Sequence, residues 1–216
     1  MTVTSPSPAP DAQSWSYDLL PLLDARVVFV HIPKTGGLSI ANAVYRTEGG
    51  GHRTVEEYKR ELGPEVFASL VSFTVVREPT ERLASAFWFL KRGGINDLDQ
   101  AFAAEHLAPF DTLEDFVTGW LTPETARSQI HFRPQHEFVC GTSGRPEVDH
   151  ILRHERLQQD YDALRPVFGG GPLPYLNATT GSSAREAAAL SPRAKRIVAK
   201  VYSEDFVLFG YPFPSP

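Results

Sequence analysis

The residues best suited to chemistry lie together in His31-Ile-Pro-Lys34-Thr-Gly-Gly-Leu-Ser39. Gly36 and Gly37 let a backbone approach a ligand closely. A helix starting beside them would aim unpaired N–H groups and its positive dipole end at an anion. Lys34 adds a mobile positive charge, Thr35 and Ser39 add hydroxyl donors, and Pro33 and Leu38 flank the turn. The pattern is a phosphate or sulfate cradle by its chemistry. It is not a Walker loop, in which the lysine follows the second glycine and a neighbouring hydroxyl holds Mg²⁺, because Lys34 precedes both glycines here. Standing alone, Pro-Lys-Thr-Gly-Gly also reads as a plain strand-to-helix turn.

A second basic position stands in Val76-Arg77-Glu-Pro-Thr-Glu-Arg-Leu-Ala-Ser85. At a strand end, Arg77 would sit at the carboxyl edge of a sheet, where open α/β folds bind ligands, and its planar fork can hold two phosphate oxygens. The competing reading is a salt bridge to Glu81. Ser85 would lie two turns into the next helix. Imidazole and carboxylate side chains supply bases near neutral pH, and four stand out: His31 at the strand end, His52 in a Gly-rich loop, His131 beside Arg133 and Gln135, and Glu48. Arg133 and Gln135 are candidates to bind an acidic or hydroxylated acceptor. His150 and His154 could share a helix face. The segment reads as strand running into a turn, however, and with no His-Glu-x-x-His and no paired cysteines we expect no metal site. Glu155 reads as a structural brace, and Phe87, Trp88 and Phe89 as core and the wall of a base pocket.

These residues need elements to position them. Arg26–His31 reads as a strand buried on both faces, and Leu38–Tyr45 has apolar positions at helical spacing. Thr54-Val-Glu-Glu57 is a capping-box pattern opening a second helix that ends near Gly63-Pro64. Leu70–Val76 is a second buried strand, and an amphipathic stretch over Thr80–Lys91 follows, with Pro79 at the first helical position. Gly93–Phe110 reads as loop with weak helix, Thr112–Leu121 and Glu124–Ile130 as helices, and Val148–Arg153 as a third strand. Leu157–Phe168 reads as a helix, Gly169–Pro174 as a loop, and Ser191–Phe206 as one long final helix. Strands alternating with helices predict an α/β fold, P-loop-like and three-layered, with a mainly parallel central sheet flanked by helices.

The bulk composition narrows the partners. The chain has 216 residues, 42% hydrophobic and 22% charged, with net charge −5. That is enough for one full-sized core, expected over residues 21–216, and it argues against a nucleic-acid surface. Residues 1–20 read as a flexible tail without the basic and apolar pattern of a signal peptide, and no run is long enough to span a membrane, so a cytoplasmic protein is expected. Cys140, the one cysteine, reads as a buried thiol.

The first motif resembles the 5′-phosphosulfate loop of sulfotransferases that use 3′-phosphoadenosine 5′-phosphosulfate (PAPS), especially the Golgi carbohydrate type (family 2) and its bacterial relatives. The second resembles their 3′-phosphate segment, in which an Arg and a Ser eight residues on hold that phosphate, as Arg77 and Ser85 are spaced. Weaker echoes are Gly51–Glu56, Phe132–Gln135, Leu152–Leu157 and Tyr202–Tyr211. The resemblance implies PAPS as donor, no metal, and a hydroxyl of a carbohydrate or small metabolite as acceptor. It implies Lys34 as the group that stabilises the bridging oxygen, and a base between the two motifs. That makes His52 the leading candidate, with His131 second and His31 or Glu48 as substitutes. A nucleotide-dependent kinase, or a non-catalytic nucleotide- or glycan-binding module, remains open at this point.

Overall fold

The computed structural model describes residues 19–47, 49, 51–174 and 182–215. Three parallel strands, β1 (Val27–Val30), β2 (Val71–Val76) and β3 (His150–Arg153), form a sheet in the order β1-β2-β3. Val30 pairs with Thr74 and Val76 with Arg153, so the three carboxyl ends open on one edge. Every residue of β1 and all but the first of β2 are buried, as a parallel sheet covered by helices requires. Phe29 stacks on Phe73 at 5.0 Å and Phe73 on Phe168 at 5.1 Å, and burying each such ring contributes about 1.5–3 kcal/mol. The open side of β1 is closed by side chains. The Tyr45 hydroxyl accepts from the Phe29 N–H at 2.8 Å and donates to the Val27 carbonyl at 2.9 Å.

The helices after β1 and β2 begin within a residue of where the sequence places them, whereas those over Leu20–Ala25, Pro64–Ala68, His136–Val139 and Ser182–Ala189 were not foreseen. After the short α1 (Leu20–Ala25), α2 (Gly37–Tyr45) follows β1, and α3 (Val55–Leu62) carries the Thr54–Glu57 capping box. The short α4 (Pro64–Ala68) leads into β2, and α5 (Pro79–Lys91) follows it with Pro79 in the first turn. Then come α6 (Asp97–Phe102), a π-helical turn (Ala103–Leu107), α7 (Leu113–Gly119), α8 (Pro123–Ser128) and α9 (His136–Val139). After β3 and a 3₁₀ turn (His154–Arg156) the chain forms α10 (Leu157–Phe168), α11 (Ser182–Ala189), α12 (Pro192–Val201) and α13 (Ser203–Leu208). No helix among the described residues is long and apolar enough to cross a membrane.

Three expectations change. Gly93–Phe110 is mostly helical: Asn96 caps α6 by accepting the Asp99 N–H at 2.8 Å, and acids fill the first turn. The final helix breaks at Tyr202, whose hydroxyl donates to the Phe132 carbonyl at 2.7 Å. Cys140 is half-buried rather than buried, with its thiol pushed up to about 11, chiefly by burial and then by Asp205, Glu147 and Glu204. Of the predicted tail, residues 1–18 lie outside the described residues, and Leu20 already belongs to α1.

Candidate functional site

The cradle forms where β1 ends. Lys34 takes a left-handed backbone (φ 69°) without capping a helix, unlike Arg26 and Arg46, the other described non-glycine residues with positive φ. Strain of this kind collects at functional sites. Gly36, at φ 90°, is the N-cap of α2 and provides no side-chain cap, while its carbonyl accepts the Ser39 N–H at 3.1 Å. A methyl group on Gly36 would lie 3.0 Å from Leu157 and 3.7 Å from His154, and one on Gly37 would collide with the His31 ring. His31 therefore braces the loop from beneath. The Thr35 hydroxyl departs from the expectation: the side chain is wholly buried and its proton goes to the Ile32 carbonyl at 2.9 Å, so it ties the turn instead of facing a ligand. Pro33 lends its carbonyl to Arg82 at 3.5 Å, Ser39 is buried in the first turn of α2, and Leu38 is exposed there.

Arg77 follows β2 directly and is buried, yet its guanidinium is poorly satisfied. Its two contacts, to the Lys34 carbonyl at 3.5 Å and the Glu81 carboxylate at 3.4 Å, sit at the limit of hydrogen bonding, and its Nε has no partner. The Glu81 pair foreseen as the competing reading thus exists, but it is loose and leaves the fork underused. Ser85 lies one helical turn beyond Glu81 on the same face of α5 and is also buried. Gln135 is corrected from acceptor ligand to scaffold. Wholly buried, its side chain accepts the Arg77 N–H at 2.9 Å and donates to the Arg77 carbonyl at 2.8 Å, fixing the backbone that carries the guanidinium.

Around Lys34 stand three imidazoles. The rings of His31 and His52 are 4.4 Å apart, and those of His52 and His131 5.8 Å. The Lys34 ammonium lies 3.8 Å over the Phe89 ring, which also packs on His131 at 4.9 Å. Burial, then Arg77 and Arg92, lowers Lys34 to about 8, with Asp99 acting in the other direction. His52 is lowered to about 4, first by burial and then by Lys34 and Arg82. It is neutral, and because its Nδ1 meets the His31 carbonyl at 3.0 Å the proton sits on Nδ1 and the Nε2 lone pair is free. His131 is lowered to about 3 by burial, His52, Lys34 and Arg82, and its Nδ1 has no hydrogen-bond partner.

Two residues of this site were missed in the sequence. Asp99 is buried with its Oδ1 3.7 Å from His131 Nδ1, and only the Asn96-x-x-Asp99 cap could have drawn attention to it. Arg82 is wholly buried and donates to the carbonyls of His131 at 3.1 Å and Arg133 at 2.6 Å, joining the cradle to the His131 segment. An arginine inside an otherwise apolar helical face was its signal. Arg133 itself is half-buried and pairs with Glu137 at 3.6 Å. Phe87 is core, stacking on Phe116, while Trp88 donates to Glu186 away from Lys34. Glu155 braces as expected, accepting from the Glu78 N–H at 2.6 Å and the Tyr211 hydroxyl at 3.0 Å. His154 packs beside Gly36 rather than pairing with His150, and burial followed by Arg77 lowers it to about 4. No group of three or more metal-ligating side chains occurs among the described residues. Glu48 lies outside them.

The arrangement can hold an anion on two cations, stabilise a leaving oxygen with Lys34, and take a proton on a neutral imidazole. Compared with known proteins, the chain matches the family model described as the sulfotransferase family over residues 23–212. No curated protein and no solved structure matches it.

Proposed function

This chain belongs to the sulfotransferase family, and from that premise we propose that it moves a sulfuryl group from PAPS to a hydroxyl of a carbohydrate or small metabolite. The observation that carries this reading is the meeting of Lys34 and Arg77. A guanidinium nitrogen of Arg77 lies 3.5 Å from the Lys34 carbonyl, and the Arg77 charge helps to lower Lys34, which supports a reading in which both cations serve one ligand. The unpartnered Nε of Arg77 fits an anionic group better than its present contacts do. In this reading the start of α2 and Lys34 hold the 5′-phosphosulfate, and Arg77 with Ser85 holds the 3′-phosphate.

Transfer follows an in-line displacement in which positioning and charge stabilisation carry most of the rate. The acceptor oxygen forms its bond to sulfur as the bond from sulfur to the 5′-phosphate oxygen breaks. The electron pair of the broken bond stays on that oxygen, where the Lys34 ammonium offsets it. The acceptor proton passes to an imidazole of the His52 and His131 pair. Both are held neutral in the free protein, and the negative charge of a bound donor raises their affinity for a proton.

Isothermal titration with 3′-phosphoadenosine 5′-phosphate (PAP), AMP and ATP tests the donor. Tight binding of PAP with AMP at least ~10-fold weaker is expected, from the worth of a charge-assisted contact to the 3′-phosphate. Preference for ATP, with Mg²⁺-dependent ATP consumption, would identify a kinase in place of a sulfotransferase.

A further inference from the structure

We propose that Asp99 is the positioning residue that makes His131, rather than His52, the proton acceptor of the reaction; the proposal rests on the sulfotransfer reading above. The two imidazoles beside Lys34 differ in what stands behind them. Behind His52 is the His31 carbonyl, a neutral acceptor at 3.0 Å. Behind His131 is a carboxylate, with Asp99 Oδ1 3.7 Å from Nδ1 and side chains only 6% and 9% exposed. A carboxylate facing Nδ1 keeps the proton on that nitrogen, leaves the Nε2 lone pair for the substrate, and provides a counter-ion when the ring becomes charged. A carbonyl does the first two of these but not the third.

The separation of 3.7 Å is longer than a hydrogen bond. Catalytic contacts are commonly long in ligand-free proteins and tighten in the loaded state. His131 Nδ1 has no other hydrogen-bond partner to give up. Asp99 is held for this task. Its Oδ2 accepts the Ile95 N–H at 3.1 Å, its own N–H is taken by Asn96 at 2.8 Å, and Gly94, at φ 62°, leaves room against its carboxylate that any side chain would fill. The charged groups facing His131 are Lys34 from the loop after β1, His52 from the loop before α3, Arg82 from α5 and Asp99 from α6. Asp99 is the one carboxylate among them, and it also faces Lys34.

In the step, the acceptor O–H proton moves to His131 Nε2 while the oxygen bonds to sulfur and the leaving phosphate oxygen departs toward Lys34. The new imidazolium donates Nδ1–H to Asp99, and the proton returns to solvent with the products. Asp99→Asn tests this, because the amide oxygen can still accept the Ile95 N–H while the counter-charge is gone. Two readouts are taken on the full chain: ¹⁵N-histidine NMR of the PAP complex, and the rate of PAPS cleavage with water as the acceptor. In the unaltered protein His131 should carry its proton on Nδ1. Asp99→Asn should shift that tautomer and slow cleavage about 10²-fold, with PAP affinity unchanged, and Asp99→Glu should recover part of the rate. The proposal is overturned if His131 is protonated on Nε2 in the unaltered protein. It is equally overturned if Asp99→Asn leaves tautomer and rate alone, or if His52→Asn slows cleavage and His131→Asn does not. A protein that neither binds PAP nor cleaves PAPS would instead sink the sulfotransfer reading beneath it.

Discussion

In the proposed reading, the donor and acceptor sides of the site are built by opposite means. On the donor side, Lys34 and Arg77 leave the ends of paired strands, and the ladder between Val30 and Thr74 sets their spacing. On the acceptor side, residues 131–136 run between strands with little ladder or helix of their own. Buried side chains capture their backbone instead. Arg82 takes the His131 and Arg133 carbonyls, Tyr202 takes the Phe132 carbonyl, and Asp205 takes the N–H groups of Gln135 at 2.8 Å and His136 at 2.9 Å. A buried backbone must find such partners somewhere. Sheet hydrogen bonds fix where the strands of the donor side end, with Gln135 adding a grip on the Arg77 backbone. The acceptor side depends on a few long polar side chains, each of which can be removed.

The largest effect should come from Lys34, where the two sides meet. Lys34→Met keeps the chain's bulk over Phe89 and removes the charge, so sulfuryl transfer should fall at least ~10³-fold. PAP affinity should fall far less, because Arg77 and the start of α2 remain. The same change should stabilise the free protein by about 1–3 kcal/mol, since a buried ammonium lowered to about 8 is costly to keep. The sign follows from linkage. Between pH 8 and 10.5 the unfolded chain holds a proton that the folded chain has lost, so the unaltered protein gains stability as pH rises and the advantage of Lys34→Met shrinks. Urea titrations at pH 7 and 10 check this. In the unaltered enzyme, kcat/KM for the donor should decline above about pH 8 as the free ammonium titrates.

Arg77→Ala comes next and tests the division directly. PAP binding should weaken about 10–100-fold and AMP binding should not, because Gln135 still grips the backbone at residue 77. His131→Asn, on the acceptor side, should leave PAP affinity alone. If it weakened PAP as much as Arg77→Ala, the two sides would not be separate.

The same division explains what could be read in the sequence. The placement of Lys34 after β1 and of Arg77 and Ser85 at the end of β2 and in α5 was legible, because a strand, a glycine turn and a capped helix are local patterns. The parallel sheet was legible for the same reason, from apolar runs such as Val27–Val30. Asp99 was not, because its meaning depends on His131, which α6 and the 131–136 segment bring to it from a distant part of the chain. Gln135 and Thr35 were misjudged in the opposite sense. Each carries a polar group that could face a ligand, and each spends it on the backbone. The break at Tyr202 was hidden because the periodicity of the final helix runs through it.

The smallest effect should show how firmly the acceptor side is anchored. His136 donates its Nδ1–H to the wholly buried Asp205 at 2.8 Å and reaches Glu204 at 3.1 Å. Burial lowers its proton affinity, but the hydrogen bond and charge of Asp205, then Glu204 and Glu137, outweigh burial and raise it. A histidine raised in the folded state contributes its full stabilisation below the unfolded value of about 6.5 and loses it as pH climbs through the higher folded value. His136→Gln should therefore cost about 1–2 kcal/mol near pH 5.5, the worth of a hydrogen bond to a charged group. The gap should narrow by pH 8.5, where only the neutral hydrogen bond is lost. Thermal melts of both proteins across this range measure it. A gap that widened with pH would mean that the imidazole is held neutral and that Asp205 is balanced by another cation, Arg82 being the nearest candidate in charge. Arg82 of α5, which already holds the His131 and Arg133 carbonyls, would then support the 131–136 segment by charge as well.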